Sequence, residues 1–203
     1  TSLIVLCNPN NPTGTLIQIV EIKKILEKAL KNNTVVYIDE AYFEFSRVTA
    51  ATLIKAYPNL IVSRTFSKAF GLASLRIGYV LSNEANINEM MKVRGPYDVC
   101  MPAVIAAKAA LDDIESMNQY VYEVMNKAKP MLESFFTNNN VKYYPSNSNF
   151  ILFKPKSKGF VNKSRAKGFL TRAREGTNID GTIRVTIGTI NQMKNFINNF
   201  ENT

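Results

Sequence analysis

The sequence contains no histidine. That one absence removes Ser-His-Asp triads, Cys-His nucleophiles and His-ligated metals together, so acid–base chemistry falls to lysine, tyrosine and carboxylates and no metal site is expected. Cysteine is nearly as scarce. Cys7 and Cys100 are too few and too far apart for a disulfide framework, and in a cytosolic protein they are expected to be small buried hydrophobes. No apolar run approaches the roughly eighteen residues of a spanning helix, and the first residues lack a charged segment followed by an apolar one. Neither a membrane span nor a signal peptide is therefore expected, and the expected location is cytoplasmic. Acidic residues are missing from one stretch in particular: between Ser134 and Arg174 there are nine Lys/Arg and no Asp/Glu, while the remainder balances at sixteen against sixteen, so the net charge of +9 is local. Nucleic-acid binding would want a basic face with stacking aromatics or a reading helix. The cluster Lys154, Lys156, Lys158, Lys163, Arg165 and Lys167 instead runs through Gly- and Ser-containing sequence, which reads as a solvated loop and helix face. Nucleic acid is not the expected partner; steering of an anionic substrate is the intermediate reading.

What is present suffices for a real core. The 203 residues are 46% hydrophobic and 10% aromatic, enough for one domain or two small ones. Leu3 to Cys7 is a short apolar run that stops at Asn8-Pro9-Asn10-Asn11-Pro12-Thr13-Gly14, as a buried parallel strand stops at a loop. Ile19, Ile22, Leu26 and Ala29/Leu30 then recur at helical spacing until Asn32-Asn33. Thr34 to Asp39 is β-branched and apolar up to its terminal carboxylate, which predicts a second strand and a right-handed βαβ unit. A third strand, Leu60 to Arg64, leads to Lys68, and Ile77 to Leu81 is a candidate fourth, antiparallel one. After Met90 the character changes. Pro102 to Leu111 is an Ala-rich apolar helix, and helical spacing continues from Ile114 to Phe136, with a kink or boundary expected near Pro130. Phe150 to Phe153 and Thr182 to Ile187 read as strands of a second, smaller domain, with helices around Phe160 to Leu170 and Asn191 to Phe200. The fold class is α/β, with domains expected over 1–111 and 112–203.

The chemistry is expected where the strands end. In an open α/β sheet the ligand lies beyond the carboxyl ends of the strands, and there stand Asn11, Asp39, and Thr65 to Lys68. Lysine is suited to holding an aldehyde cofactor as an imine, because burial or a neighbouring cation makes its amine nucleophilic and lets it later carry a proton. Thr65, Ser67 and the planar fork of Arg76 suit the phosphate of such a cofactor. Each residue alone has a plainer explanation: a surface lysine in a turn, a capping or solvated Asp39, a packing Tyr42, an Asn11 serving turn chemistry. Their joint placement favours the site. Arg184 interrupts an apolar strand, which is costly unless its head finds an anion or water; the alternative is an exposed arginine in an edge strand or loop.

The segments Asn8-Pro9-Asn10-Asn11-Pro12-Thr13-Gly14, Asp39-Glu40-Ala41-Tyr42-Phe43-Glu44-Phe45 and Arg64-Thr65-Phe66-Ser67-Lys68-Ala69-Phe70-Gly71-Leu72-Ala73-Ser74-Leu75-Arg76-Ile77-Gly78-Tyr79 together resemble the class I/II, fold-type-I pyridoxal-phosphate aminotransferases, and among them the histidinol-phosphate aminotransferases. Arg94-Gly95-Pro96-Tyr97-Asp98-Val99 is similar to that family's link out of the large domain, and Ile183 to Thr189 to its C-terminal strand. The resemblance implies part of a pyridoxal-phosphate transferase large domain, a mainly parallel sheet with flanking helices, followed by a smaller C-terminal α/β domain. It also implies pyridoxal 5'-phosphate as cofactor, with Lys68 on its aldehyde, Asp39 on its ring nitrogen, Tyr42 and Asn11 on its ring oxygen, and Thr65, Ser67 and Arg76 on its phosphate. Lys68, Asp39 and Tyr42 would be the catalytic group. Arg184 would take a substrate carboxylate and Arg172 a substrate phosphate.

The implied reaction is transamination of histidinol phosphate with 2-oxoglutarate and glutamate, in histidine biosynthesis, by a homodimer acting on small amino and keto substrates. Two alternatives stand beside it: a decarboxylase of an O-phospho amino acid, and a non-catalytic fragment of such an enzyme. The family's N-terminal arm, glycine-containing phosphate loop and ring-stacking aromatic do not precede Thr1, so the chain is expected to be the C-terminal part of a longer protein. An incomplete sheet would leave an unpaired edge with exposed apolar surface. Phe45 to Ala56 and the surroundings of Gly159 are short for the family.

Overall fold

The computed structural model describes residues 1–200 and divides into two compact units, Thr1–Asn10 with Leu16–Met117, and Asn11–Thr15 with Asn118 onward. In the first unit, strands β1 (Leu3–Cys7), β2 (Val35–Asp39), β3 (Leu60–Thr65) and β4 (Gly78–Leu81) form one sheet in that order. β1, β2 and β3 run parallel, whereas β4 is antiparallel to β3. The register sets Cys7 opposite Asp39 and Asp39 opposite Ser63, so the three parallel strands finish side by side.

Helix α1 (Ile19–Lys31) connects β1 to β2 and buries the stripe Ile22, Leu26 and Ala29. These pack with Val36, Ile38, Leu60 and Val62 of the sheet. Full burial of a side chain such as Leu26 contributes about 1.5–3 kcal/mol. The helix stops at Asn32, whose N–H reaches Ala29 O, and Asn33 adopts a left-handed φ of 50°, a conformation asparagine tolerates better than most residues. The short α2 (Phe43–Ser46), then α3 (Glu84–Val93) and α4 (Met101–Asp112), complete the unit. β1 is an outer strand of the sheet, and its Leu3 and Val5 are 52% and 62% exposed.

The second unit takes up the rest of the helix that begins as α5 (Ile114–Glu123), followed by α6 (Lys129–Asn138), β5 (Tyr143–Tyr144), β6 (Phe150–Phe153), α7 (Phe160–Ala166), β7 (Arg172–Arg174), β8 (Thr182–Thr186) and α8 (Ile190–Phe200). Its sheet has the order β5-β6-β8-β7 and is antiparallel throughout. The core is aromatic. Phe136 stacks on Phe153 at 4.9 Å between centroids, and Phe153 meets Phe160 edge-on at 5.4 Å. All four residues of β6 are buried.

The boundary expected near Pro130 takes the form of a π-turn over Val124–Ala128, after which Pro130 sits in the first turn of α6, while two other local expectations change. A proline at that place needs no intrahelical donor, and the wider turn accommodates its ring. The helix expected to reach Leu170 stops at Ala166, with Gly168 at φ 85° two residues beyond. The cysteines are not core residues: Cys7 is half-buried at a strand end, and Cys100 is exposed just ahead of α4.

Candidate active site

In the first unit the side chains of interest gather where β2 and β3 end. Asp39 closes β2 and is half-buried. Its Oδ1 accepts from the Ala41 N–H at 3.0 Å and, at the long distance of 3.5 Å, from Ser63 Oγ. No described residue donates to Oδ2, so one carboxylate oxygen remains available to a ligand donor. Tyr42, three residues on, is only 5% exposed. The Lys68 ammonium stands 5.4 Å from the centroid of its ring.

Lys68 is exposed, and the loop that carries it is held from both sides. Phe66 and Ala69 are buried, and Phe66 packs on Phe70 and Tyr79 at 4.8 and 5.7 Å. Backbone bonds close the loop: Phe66 N–H to Ile77 O at 3.1 Å, Leu72 N–H to Phe66 O at 2.9 Å, and Gly71 N–H to Lys68 O at 3.0 Å. Thr65 Oγ1 accepts from Ser67 N–H at 3.0 Å, which fixes the two hydroxyl residues next to each other. Arg76 is exposed, with a left-handed φ of 53°, and donates from Nη1 to Ala73 O at 2.9 Å. Gly78 permits the close β3–β4 approach, because a Cβ there would stand 2.6 Å from the Arg64 carbonyl oxygen.

A buried pair that the sequence reading did not single out supports these strand ends. Glu40 has no exposed surface; its Oε1 accepts from Ala50 N–H at 2.6 Å, and its Oε2 from Thr49 Oγ1 at 2.8 Å and Arg64 Nε at 3.0 Å. Arg64 also donates to Thr49 Oγ1 at 2.6 Å and lies 3.5 Å over the Phe43 ring. Because Glu40 follows Asp39 and Arg64 precedes Thr65, this pair ties together the two segments that carry the candidate site. Nearby Glu44 is also buried; loss of hydration, the largest influence, raises its carboxyl pKa above the ordinary value, against its own backbone hydrogen bond and the charges of Arg64 and Arg47.

The second unit brings together the other predicted residues. Asn11 Oδ1 accepts from Arg184 Nη1 at 2.5 Å, and the Arg184 guanidinium lies 5.1 Å from the Phe150 ring centroid. The segment bearing Asn11 is seated by Gly14, whose carbonyl accepts from Asn147 N–H at 2.8 Å. Gly14 has φ +72°, and a Cβ there would collide with Ser146 Oγ and stand 2.9 Å from Ser146 Cα. Arg184 lies on β8, an inner strand, so it is not the edge-strand arginine of the plainer reading. Arg172 opens the outer strand β7, is exposed, and pairs in register with Arg184. Opposed residues on paired antiparallel strands share a face, and like charges so placed repel. The placement favours an anion.

Residues 1–200 match the family aminotransferase class I and II. The chain is 39% identical over 208 aligned residues to histidinol-phosphate aminotransferase 2 of Legionella pneumophila (strain Lens), an alignment that takes in 100% of this chain and 56% of that relative, so the chain spans little more than half its length. Its fold is similar to the solved histidinol-phosphate aminotransferase of Sinorhizobium meliloti in complex with pyridoxal-5'-phosphate, with a TM-score of 0.86, 25% identity, and coverage of 98% of this chain and 56% of that one. It is also similar to the L-threonine-O-3-phosphate decarboxylase of Porphyromonas gingivalis, with a TM-score of 0.83, 26% identity, and coverage of 99% and 64%. With the family match running through Asp39, Lys68 and Arg184 alike, the chain belongs to the class I and II aminotransferases.

Proposed function

We propose that this chain carries the cofactor-binding and substrate-binding residues of a pyridoxal-phosphate-dependent aminotransferase whose amino substrate is histidinol phosphate and whose amino partner pair is glutamate and 2-oxoglutarate. The observation that carries the reading is the grouping at the ends of β2 and β3: Lys68 Nζ 5.4 Å from the Tyr42 ring, and a half-buried Asp39 with one oxygen open to a ligand donor. The residues suit the group. A carboxylate fits a pyridinium nitrogen, a phenol and an amide fit the ring oxygen, and the Thr65 and Ser67 hydroxyls with the Arg76 fork fit a phosphate. When bound, pyridoxal phosphate supplies an aldehyde and an electron-withdrawing ring. Asp39 Oδ2 would accept from the ring nitrogen and favour its protonated form. Tyr42 would orient the ring oxygen, as the resemblance also implies for Asn11, and Thr65, Ser67 and Arg76 would hold the phosphate. Lys68 Nζ would be the base that carries a proton away from the substrate carbon.

Substrate selection falls to the arginines. Arg184 would hold a carboxylate and Arg172 the phosphate, in keeping with their register on paired strands. The family assembles as dimers by the resemblance drawn above, and a homodimer is proposed here too. A second reading, decarboxylation of an O-phospho amino acid, is supported by the likeness to the Porphyromonas gingivalis decarboxylase. Incubating the protein with pyridoxal phosphate and either histidinol phosphate plus 2-oxoglutarate or phosphothreonine tests both. Glutamate formation, and a borohydride-trapped mass increase on the Lys68 peptide that Lys68→Ala abolishes, support the first reading. Carbon dioxide release from phosphothreonine without glutamate replaces it with the second. No trapped mass on Lys68 refutes both.

A further inference from the structure

The second unit holds a cleft of about 590 Å³ apart from Arg172 and Arg184, within the size range of about 300–1,000 Å³ usual for small-molecule sites. It is lined by the loop leaving β6, with Lys154, Lys156 and Lys158, by Phe160 at the start of α7, and by Arg174 and Ile183 where β7 ends and β8 begins. Four cations therefore converge on it against one carboxylate, Glu175. None of the four forms an ion pair with a described carboxylate. Arg174 goes further: its Nε is a buried donor with no hydrogen-bond partner. Buried donors are nearly always satisfied, and one left without an acceptor on an arginine that lines a cleft among uncompensated cations points to an anion bound there. Pro155, Phe160, Val161 and Ile183 give the lining an apolar part, beside the polar Ser157, Asn162 and Thr182.

We propose that this cleft binds a small organic phosphate ester, its phosphoryl group between Arg174 and the loop lysines and its body against Pro155, Phe160 and Ile183. An arginine fork and flexible ammonium groups are the usual partners of a phosphoryl group. The apolar part of the lining favours an ester over inorganic phosphate, and a volume of about 590 Å³ suits a ligand of mononucleotide size. The local charge excess of the sequence thereby gains a site of action.

Calorimetric titration of the intact chain with adenosine monophosphate at low salt tests this, with inorganic phosphate and adenosine as part-ligands. Saturable binding of the ester is expected, about tenfold or more tighter than either part. Arg174→Gln should weaken it by about tenfold or more. Lys156→Gln/Lys158→Gln, at exposed positions, should weaken it and flatten its salt dependence. Arg76→Gln, on the proposed cofactor phosphate, should leave it unchanged. Absence of saturable binding overturns the proposal, as does loss in Arg76→Gln or Arg172→Gln with retention in Arg174→Gln. Should Arg174→Gln fail to fold by its melting curve, the double lysine variant decides, and wild-type binding by it overturns the proposal.

Discussion

Replacing Arg64 with methionine probes the buried pair that holds the strand ends. The change keeps an apolar stem over Phe43 but removes the 3.0 Å bond from Nε to Glu40 Oε2 and the 2.6 Å bond from Nη2 to Thr49 Oγ1. Glu40, with no exposed surface, keeps only the Thr49 hydroxyl and the Ala50 amide. Stranding one member of a buried ion pair costs about 3–5 kcal/mol, much of it the uncompensated charge that remains. With a urea slope of about 1–3 kcal/mol per molar, the unfolding midpoint should fall by about 1–5 M. Adding Glu40→Gln removes the stranded charge, so the double variant should be more stable than the sum of the single losses by about 1–3 kcal/mol. Circular dichroism in urea gives the midpoints, and hydrogen exchange at the Ala50 amide, bonded to Glu40 Oε1, reports the site itself. A loss below about 1 kcal/mol in Arg64→Met, or strict additivity in the double variant, would refute the claim that this pair fastens β2 to β3.

Three further outcomes are expected. Asp39→Asn should leave the fold intact, as the Ala41 amide can still be capped, but cut the proposed transamination by about a hundredfold or more, the kinetic equivalent of 3 kcal/mol or more for a lost charge partner; steady-state turnover measures it, and unchanged turnover refutes the role proposed for Asp39. Glu44 has a folded pKa above the ordinary 4.5, so its ionisation opposes folding: its contribution is most favourable below that value and declines as pH rises from about 4.5 through the raised folded pKa. Glu44→Gln should therefore melt higher than the parent above this window and no higher below it, a pattern that thermal melts across pH will show or deny. Gly14→Ala should destabilise the second unit by about 1–3 kcal/mol, through both its left-handed φ and the collision with Ser146; Ser146→Ala should not rescue it, because the Ser146 Cα also stands too close, and rescue in a melting experiment would contradict the geometry.

The strands and α1 were legible because their signals are local. Leu3–Cys7 reads as a strand from five consecutive residues, and the stripe Ile22, Leu26, Ala29 reads as one helix face; the structure has both with nearly the expected limits. The antiparallel β4 was also expected. Asp39 and the Thr65–Lys68 loop could be placed near each other because parallel strands end on one side, a rule of topology that needs no side-chain detail. What stayed hidden was non-local. Glu40 and Arg64 lie 24 residues apart and look in sequence like one more acid and one more base; only the strand register makes them partners. Asn11 and Arg184 are 173 residues apart, and no spacing rule links them. The exposure of Cys100 and the early stop of α7 depend on what packs there, which composition does not encode.

The π-turn at Val124–Ala128 keeps the phase of the long helix. Buried residues recur there at Val124, Ala128, Leu132 and Phe136, each four positions after the last. In an ideal α-helix with about 3.6 residues per turn, every such step drifts by about 40°, so three of them would swing Phe136 well round the cylinder from Val124. One wide turn absorbs part of that rotation, which lets a sequence with an awkward rhythm still deliver Phe136 to its stacking partner Phe153. Excising a single residue from this turn would thus leave a smoother helix and a misaligned core.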